Sequence, residues 1–210
     1  MQQIVIFDMD GTLIDSKKDI TISINHIRKI NHTLPPLSEA FVVEAINMDV
    51  RNLPKLFYNT ELYEERDRVV FEKHYKIQCT KNPYLYKGVL ETLQTLKSKD
   101  VKLSVATNAP TIFAKTMLAS LGIDTMFDMI IGADKVSASK PDPAMLLNIL
   151  QFYNYNALED RAYMIGDNSK DMQSAKNANI DALFATWGFS PHSEYKNKID
   201  DPKKILEFIL

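Results

Sequence analysis

The chain predicts an α/β fold: a doubly wound parallel sheet, interrupted after its first strand by an all-α insertion. Three observations carry this. From Gly88 onward, short apolar runs alternate with helical patterns, as in repeated βα units. Glycines stand at 11, 88, 122, 132, 166 and 188, and residues 16–86 contain none, so that stretch reads as a separate unit. The first apolar run, Gln3-Ile4-Val5-Ile6-Phe7, gives way at once to a polar loop at 8–12, which is the pattern of a strand buried on both faces.

The elements follow in order. After the strand at 3–7, Ile20, Ile24, Ile27 and Ile30 mark one face of a helix, and Ser38 caps a second helix at 39–46. A third helical pattern covers 61–76, and its run Glu64-Glu65-Arg66-Asp67-Arg68 reads as a solvated face. A helix at 89–99 carrying Leu90, Leu93 and Leu96 then leads to a strand at 101–107. The next helix, at 111–121, is closed by Gly122. Residues 129–131 form another apolar run, and Asp142-Pro143 supplies a cap and a proline at the start of a helix reaching about 153. A strand at 162–165, a helix at 169–178 and a last strand at 182–185 complete the sheet. Asp201-Pro202 opens a C-terminal helix. The domain reading is therefore a core of 1–15 with 87–210 and a helical insertion of 16–86.

Composition sets the function classes. Hydrophobic residues at 45% and charged residues at 25% are ordinary for a folded soluble chain. Lys plus Arg at 25 against Asp plus Glu at 27 leaves no electrostatic footprint for nucleic acid or an anionic membrane. Cys79 stands alone and cannot form an internal disulfide. Asp8 and Asp10 interrupt the one N-terminal apolar run, which leaves no secretory h-region, and no run approaches a membrane span. The expectation is a soluble, cytoplasmic protein, monomer or homodimer, with a small-molecule partner.

In parallel sheets ligands bind beyond the carboxyl ends of the strands. Four such exits hold reactive residues: Asp8-Met9-Asp10-Gly11-Thr12, Thr107-Asn108, Lys140-Pro141-Asp142 and Gly166-Asp167-Asn168-Ser169-Lys170-Asp171. Asp167 and Asp171 are four apart at a helix start, hence on one side of the turn, and the fold gathers them with Asp8 and Asp10 as four carboxylates. Two like charges about 4 Å apart repel by about 4 kcal/mol at an effective dielectric of about 20. Lys140 alone does not offset four of them, so a cation is needed. An all-oxygen donor set suits Mg²⁺, whereas the four His and one Cys offer no zinc spacing.

In this order, Asp-x-Asp-Gly-Thr-Leu-x-Asp, Thr-Asn, Lys-Pro and Gly-Asp-x-x-x-Asp resemble the motifs of the haloacid dehalogenase-like superfamily over essentially the whole chain. The resemblance implies a Rossmann-like core with a helical cap of the C1 type inserted between motifs one and two, where 16–86 lie. It also implies that the Asp8 carboxylate, the Asp10 backbone carbonyl and Asp167 ligate Mg²⁺ while Asp171 orients from behind. A carboxylate beside a metal-bound phosphate can attack phosphorus, and Asp8 is the candidate nucleophile. Asp10 suits the general acid that a leaving alkoxide needs and the base that later activates water. A halide needs no such proton, which points to a phosphatase acting through an aspartyl-phosphate and away from a dehalogenase. Lys140 neutralises charge at Asp8 and the phosphate, and Thr107 and Asn108 bind phosphate oxygens.

The cap sets the substrate. Leu34-Pro35-Pro36-Leu37-Ser38-Glu39, the segment 46–53 and Trp187-Gly188-Phe189 resemble the phosphoglycolate phosphatases, although Asn47-Met48-Asp49 stands where that subfamily commonly carries a glycine-rich turn. Arg51 is the candidate partner for a substrate carboxylate. A phosphosugar mutase resembling β-phosphoglucomutase uses the same core motifs, and these residues leave it open. A receiver-type signalling module also gathers Asp and Lys around Mg²⁺ but usually lacks both the insertion and a paired acid such as Asp10. His26, His32, His74 and His192 read as surface or core groups, and Met9 and Trp187 as packing.

Overall fold

The computed structural model describes residues 1–48, 50–190 and 195–210, so Asp49 and His192 lie outside the described residues. In chain order the elements are β1 (Gln3–Phe7), β2 (Ile14–Asp15), α1 (Lys17–His32), α2 (Glu39–Asn47), α3 (Leu53–Tyr58), α4 (Glu65–Gln78) and β3 (Tyr84–Leu85). They continue with α5 (Val89–Ser98), β4 (Lys102–Thr107), α6 (Thr111–Ser120), β5 (Met129–Gly132), α7 (Ala144–Phe152), β6 (Arg161–Gly166), α8 (Ser169–Asn177), β7 (Asp181–Ala185), β8 (Lys198–Ile199) and α9 (Ile205–Ile209). The chain divides into two compact units, one of Met1–Asp15 with Leu85–Leu210 and one of Ser16–Tyr84.

In the first unit six of the described strands form a parallel sheet in the order β5-β4-β1-β6-β7-β8. Numbered by appearance in this sheet, that is the Rossmann order, with its switch point beside the central strand. β1 is central because its residues can be buried on both faces: Ile4, Val5 and Ile6 are wholly enclosed. One layer of the core joins Ile4 and Ile6 to Met145, Ile149, Met164 and Ala175 from the neighbouring strands, α7 and α8. Register positions the site. Phe7 pairs with Val105 on one side and with Ile165 on the other, so the first residues past β1, β4 and β6 emerge at nearly one level.

The second unit packs its helices around Ile24, Ile27, Val42, Ala45, Phe57 and Tyr58. Ser38 caps α2 by accepting from Phe41 N–H at 3.2 Å. Several details differ from the sequence reading, among them the start of α7, which opens at Ala144 with Pro143 rather than Asp142 at the cap position. Ile30 is half exposed, because at about 100° per residue it falls about 60° beyond Ile27 and off the apolar stripe. α4 begins at Glu65 rather than 61, and α3 precedes it; six residues opened by Asn52 and Pro54 are too short to show a period. Within the charged run Asp67 is buried, accepting from Asn31 Nδ2 at 2.8 Å and pairing with His32 Nε2 at 2.9 Å. Finally, β7 is not the last strand, since β8 adds two residues at the sheet edge. No helix among the described residues is long and apolar enough to cross a membrane.

Candidate active site

The crevice is built at the ends of β1, β4 and β6. Asp8 continues the ladder past β1 by donating its N–H to Ile165 O at 2.8 Å. The chain then turns sharply, with the N–H groups of Thr12, Leu13 and Ile14 converging on Met9 O, and Met9 is wholly buried. Gly11 has φ +87°, and a Cβ there would lie 2.3 Å from Asp167 Oδ2. Only glycine lets this loop pass so close to the second acidic motif.

Across the sheet, Asn168 caps α8 in a reciprocal capping box with Asp171, whose Oδ2 accepts from Asn168 N–H at 3.1 Å. The cap therefore orients the carboxylate that faces the crevice. A Cβ on Gly166 would lie 2.4 Å from Asp171 Cβ, and one on Gly188 would lie 2.1 Å from Gly11 O and 2.5 Å from Asp167 Cβ. Asp167 is held in turn: Oδ1 accepts from Thr12 Oγ1 at 3.2 Å and Oδ2 from Phe189 N–H at 2.7 Å. Trp187 braces the same turn by donating its indole N–H to Thr12 O at 3.0 Å.

Lys140 stands at the centre, 3% exposed. Its three ammonium protons have three acceptors: Asp8 Oδ1 at 2.6 Å, Asp171 Oδ1 at 2.6 Å and Ala106 O at 2.7 Å. The Lys140–Pro141 peptide is cis. Thr107, fully buried at the end of β4, accepts from Ala109 N–H at 3.1 Å through its hydroxyl oxygen, which leaves the hydroxyl proton to donate. Asn108 Oδ1 accepts from Lys140 N–H and its Nδ2 donates to Lys140 O, both at 3.0 Å. The loop carrying these two residues is anchored by Asp134, whose Oδ1 accepts from Thr111 N–H at 2.6 Å and Thr111 Oγ1 at 2.7 Å.

Three carboxylates meet here, not four. Asp8, Asp167 and Asp171, all buried, offer oxygens within 4.8 Å of one another. The half-buried Asp10 is not in that carboxylate cluster, because the turn after Met9 takes it off the line of the strand. Burial, with Asp171 and Asp167 adding to it, pushes the Asp8 carboxyl well above the usual range, against the pull of Lys140. Burial likewise raises the Asp167 carboxyl to about 7, with Asp171 adding to it against the N–H of Phe189 and the hydroxyl of Thr12. For Lys140, burial alone would lower the ammonium, but Asp171 and Asp8 together outweigh it and hold it above its ordinary value. Among the described residues, one ammonium against this cluster of three carboxylates leaves a negative surplus in a buried crevice whose candidate ligand atoms are oxygens, which fits a hard divalent cation.

Arg51 belongs to the second unit, where its Nη1 donates to Ile46 O and, at 3.3 Å, to Met48 O. The residues that sequence reasoning missed are Thr12, Asp134, Phe189 through its N–H, and the glycines 166 and 188. Thr12 and both glycines sit inside or beside motifs already noted. Asp134 gives no sequence signal, because its role depends on how a loop folds back.

The haloacid dehalogenase-like hydrolase profile matches residues 5–185, and the chain belongs to that family. Its relatives narrow the class. It is 32% identical over 203 residues to a phosphoglycolate phosphatase of Colwellia psychrerythraea, covering 90% of this chain and 86% of that one. It is also 32% identical over 191 residues to a phosphoglycolate phosphatase of Aquifex aeolicus, covering 89% and 86%. The crystal structure of a predicted phosphoglycolate phosphatase from Haemophilus somnus matches with a TM-score of 0.83 at 26% identity, over 100% of this chain and 98% of that one.

Proposed function

We propose that this phosphatase hydrolyses a small phosphomonoester through a phospho-enzyme on Asp8, with Mg²⁺ held among the buried carboxylates. The surplus of three carboxylates over the single Lys140 ammonium is the observation that carries this reading. Asp8, Asp167 and the Asp10 carbonyl would hold the ion, and Asp171, tied to Lys140 and Asn168, would orient from behind. Bound there, Mg²⁺ polarises a phosphoryl oxygen and offsets charge that neither Lys140 nor the backbone can offset.

The chain's own residues carry the chemistry. Lys140 engages Asp8 Oδ1, so Oδ2 is the oxygen left to attack phosphorus. As that bond forms, the P–O bond to the alkoxide breaks, and Asp10 gives the departing oxygen its proton. Asp10 then takes a proton from water as the water oxygen attacks phosphorus. The bond to Asp8 breaks, inorganic phosphate leaves, and both carboxyl groups return to their starting state. The Thr107 hydroxyl donates to a phosphoryl oxygen throughout.

On this reading the helical insertion acts as the cap that selects substrate, and the enzyme works in the cytoplasm as a monomer or homodimer. 2-Phosphoglycolate is the first substrate to test, because the relatives carry that name. Arg51 would meet its carboxylate through its guanidinium charge. Phosphate release from 2-phosphoglycolate, sugar phosphates, nucleoside monophosphates and pyrophosphate tests this directly. Preference for 2-phosphoglycolate supports the assignment, sugar-phosphate activity keeps the chemistry and replaces the substrate, and no release from any compound rejects the reading. Arg51→Ala should raise KM for acidic substrates more than for neutral ones, and equal effects would remove Arg51 from the site.

A further inference from the structure

The position of Asn108 after β4 suggests a phosphate contact, yet its amide is engaged elsewhere. Its Oδ1 accepts from Lys140 N–H and its Nδ2 donates to Lys140 O, each at 3.0 Å. This reciprocal pair grips the main chain of one residue from both sides and fixes where its side chain starts. Asn177 adds a third restraint by donating Nδ2 to Pro141 O at 3.0 Å. The Lys140 ammonium must then satisfy Asp8, Asp171 and Ala106 O at once, with distances between 2.6 and 2.7 Å. Three acceptors converging on one flexible side chain demand a fixed origin, because a shift of even half an ångström at the backbone would lengthen at least one bond into a weaker range.

We propose that Asn108 is a positioning residue that acts through Lys140, rather than a substrate contact. The proposal rests on the phosphatase reading for its kinetic consequence and on the hydrogen bonds alone for its structural one. Losing the grip displaces the ammonium from Asp8, so the nucleophile is less well oriented, whereas binding of the phosphoryl group is left to Thr107 and the metal. Asn108 is exposed as a whole residue, so its replacement does not empty the core.

The test compares the parent enzyme with Asn108→Ala and Asn108→Asp, using 4-nitrophenyl phosphate as substrate and inorganic phosphate as inhibitor. Asn108→Asp keeps the size and the acceptor for Lys140 N–H but sets a carboxylate oxygen against Lys140 O. Both variants should lose about 10-fold or more in kcat, with KM and the inhibition constant for phosphate within about 3-fold of the parent. A rise of about 10-fold in KM or in that constant, with kcat kept, would overturn the proposal in favour of substrate contact. Unchanged kinetics would overturn it outright. A readout independent of turnover is the nitrogen-edited NMR signal of the Lys140 ammonium. In the parent it should be visible through slow hydrogen exchange, and in both variants it should broaden or vanish. An unchanged signal contradicts the proposal even if the parent shows no phosphatase activity, an outcome that would reject the phosphatase reading separately.

Discussion

Both units of this chain bury charge, but they neutralise it differently. In the second unit Asp19 is fully enclosed and accepts from Gln78 Nε2 at 2.7 Å, Asn82 N–H at 2.9 Å and Asn82 Nδ2 at 2.6 Å. Arg28 spends its guanidinium on the carbonyls of Pro35 and Phe57, and Asp67 is held by Asn31 and His32. Each of these charges is matched by groups of its own unit, so each serves the fold. In the first unit Asp8, Asp167 and Asp171 lie together, and Lys140 pairs with Asp8 and Asp171. Burial alone therefore does not mark a site. A buried surplus of one sign does, because its cost is relieved only by proton uptake or by a bound cation.

The largest expected effect of that difference is on turnover. Asp8→Asn should lower kcat by a factor on the order of 10⁴ while the metal-free protein unfolds at no lower temperature than the parent, since the change removes part of the surplus. Asp8→Asn with near-parental activity would end the nucleophile assignment. Next comes geometry: Gly188→Ala forces a Cβ against Gly11 O and Asp167 and should weaken Mg²⁺ activation by about 10- to 100-fold, read from a Mg²⁺ titration of activity.

The second unit should respond in the opposite currency. Asp19→Ala strands the amide donors of Gln78 and Asn82 and should cost about 1–3 kcal/mol of stability, measured by urea unfolding, with the Mg²⁺ titration unchanged. If Asp19→Ala were neutral and Asp167→Asn strongly destabilising without metal, the contrast between the units would collapse.

The smallest effect is a pH dependence. The Asp167 carboxyl lies near 7 against an ordinary value of 3.8, so between those values the folded protein binds more protons than the unfolded one. This contribution to metal-free stability is fully present on the acid side and falls as pH rises through the window. Mg²⁺ needs the carboxylate, so its stabilising effect should grow over the same range. Melting curves at about pH 5.5 and about pH 8 should show the larger Mg²⁺ shift at the higher pH. An equal shift at both would contradict the assignment of Asp167.

The sequence made the first unit far more legible than the second. Apolar runs such as 3–7 and caps such as Asn168 are local signals, and a parallel sheet places the residues after them in one crevice. The meeting of Asp8, Lys140 and Asp171 was thus readable without coordinates. Three things were not. Asp10 sits two residues from Asp8, but the turn on Met9 O carries it out of the carboxylate cluster, and the sequence does not reveal that angle. Asp67 lies in a charged run that looks solvated, and its burial depends on Asn31 and His32 from α1, more than thirty residues away. Asn108 was legible as a site residue but not in its partner, because the Lys140 backbone reaches it only once the loop after β5 has folded.

The most direct test of the central claim measures phosphate release from the same phosphomonoester panel by the parent and by Asp8→Asn, with Mg²⁺ and with the metal chelated. The surplus-charge account predicts release by the parent only with Mg²⁺ and none above background from Asp8→Asn under either condition. Release that persists after chelation, or that survives the loss of the Asp8 carboxylate, would contradict it.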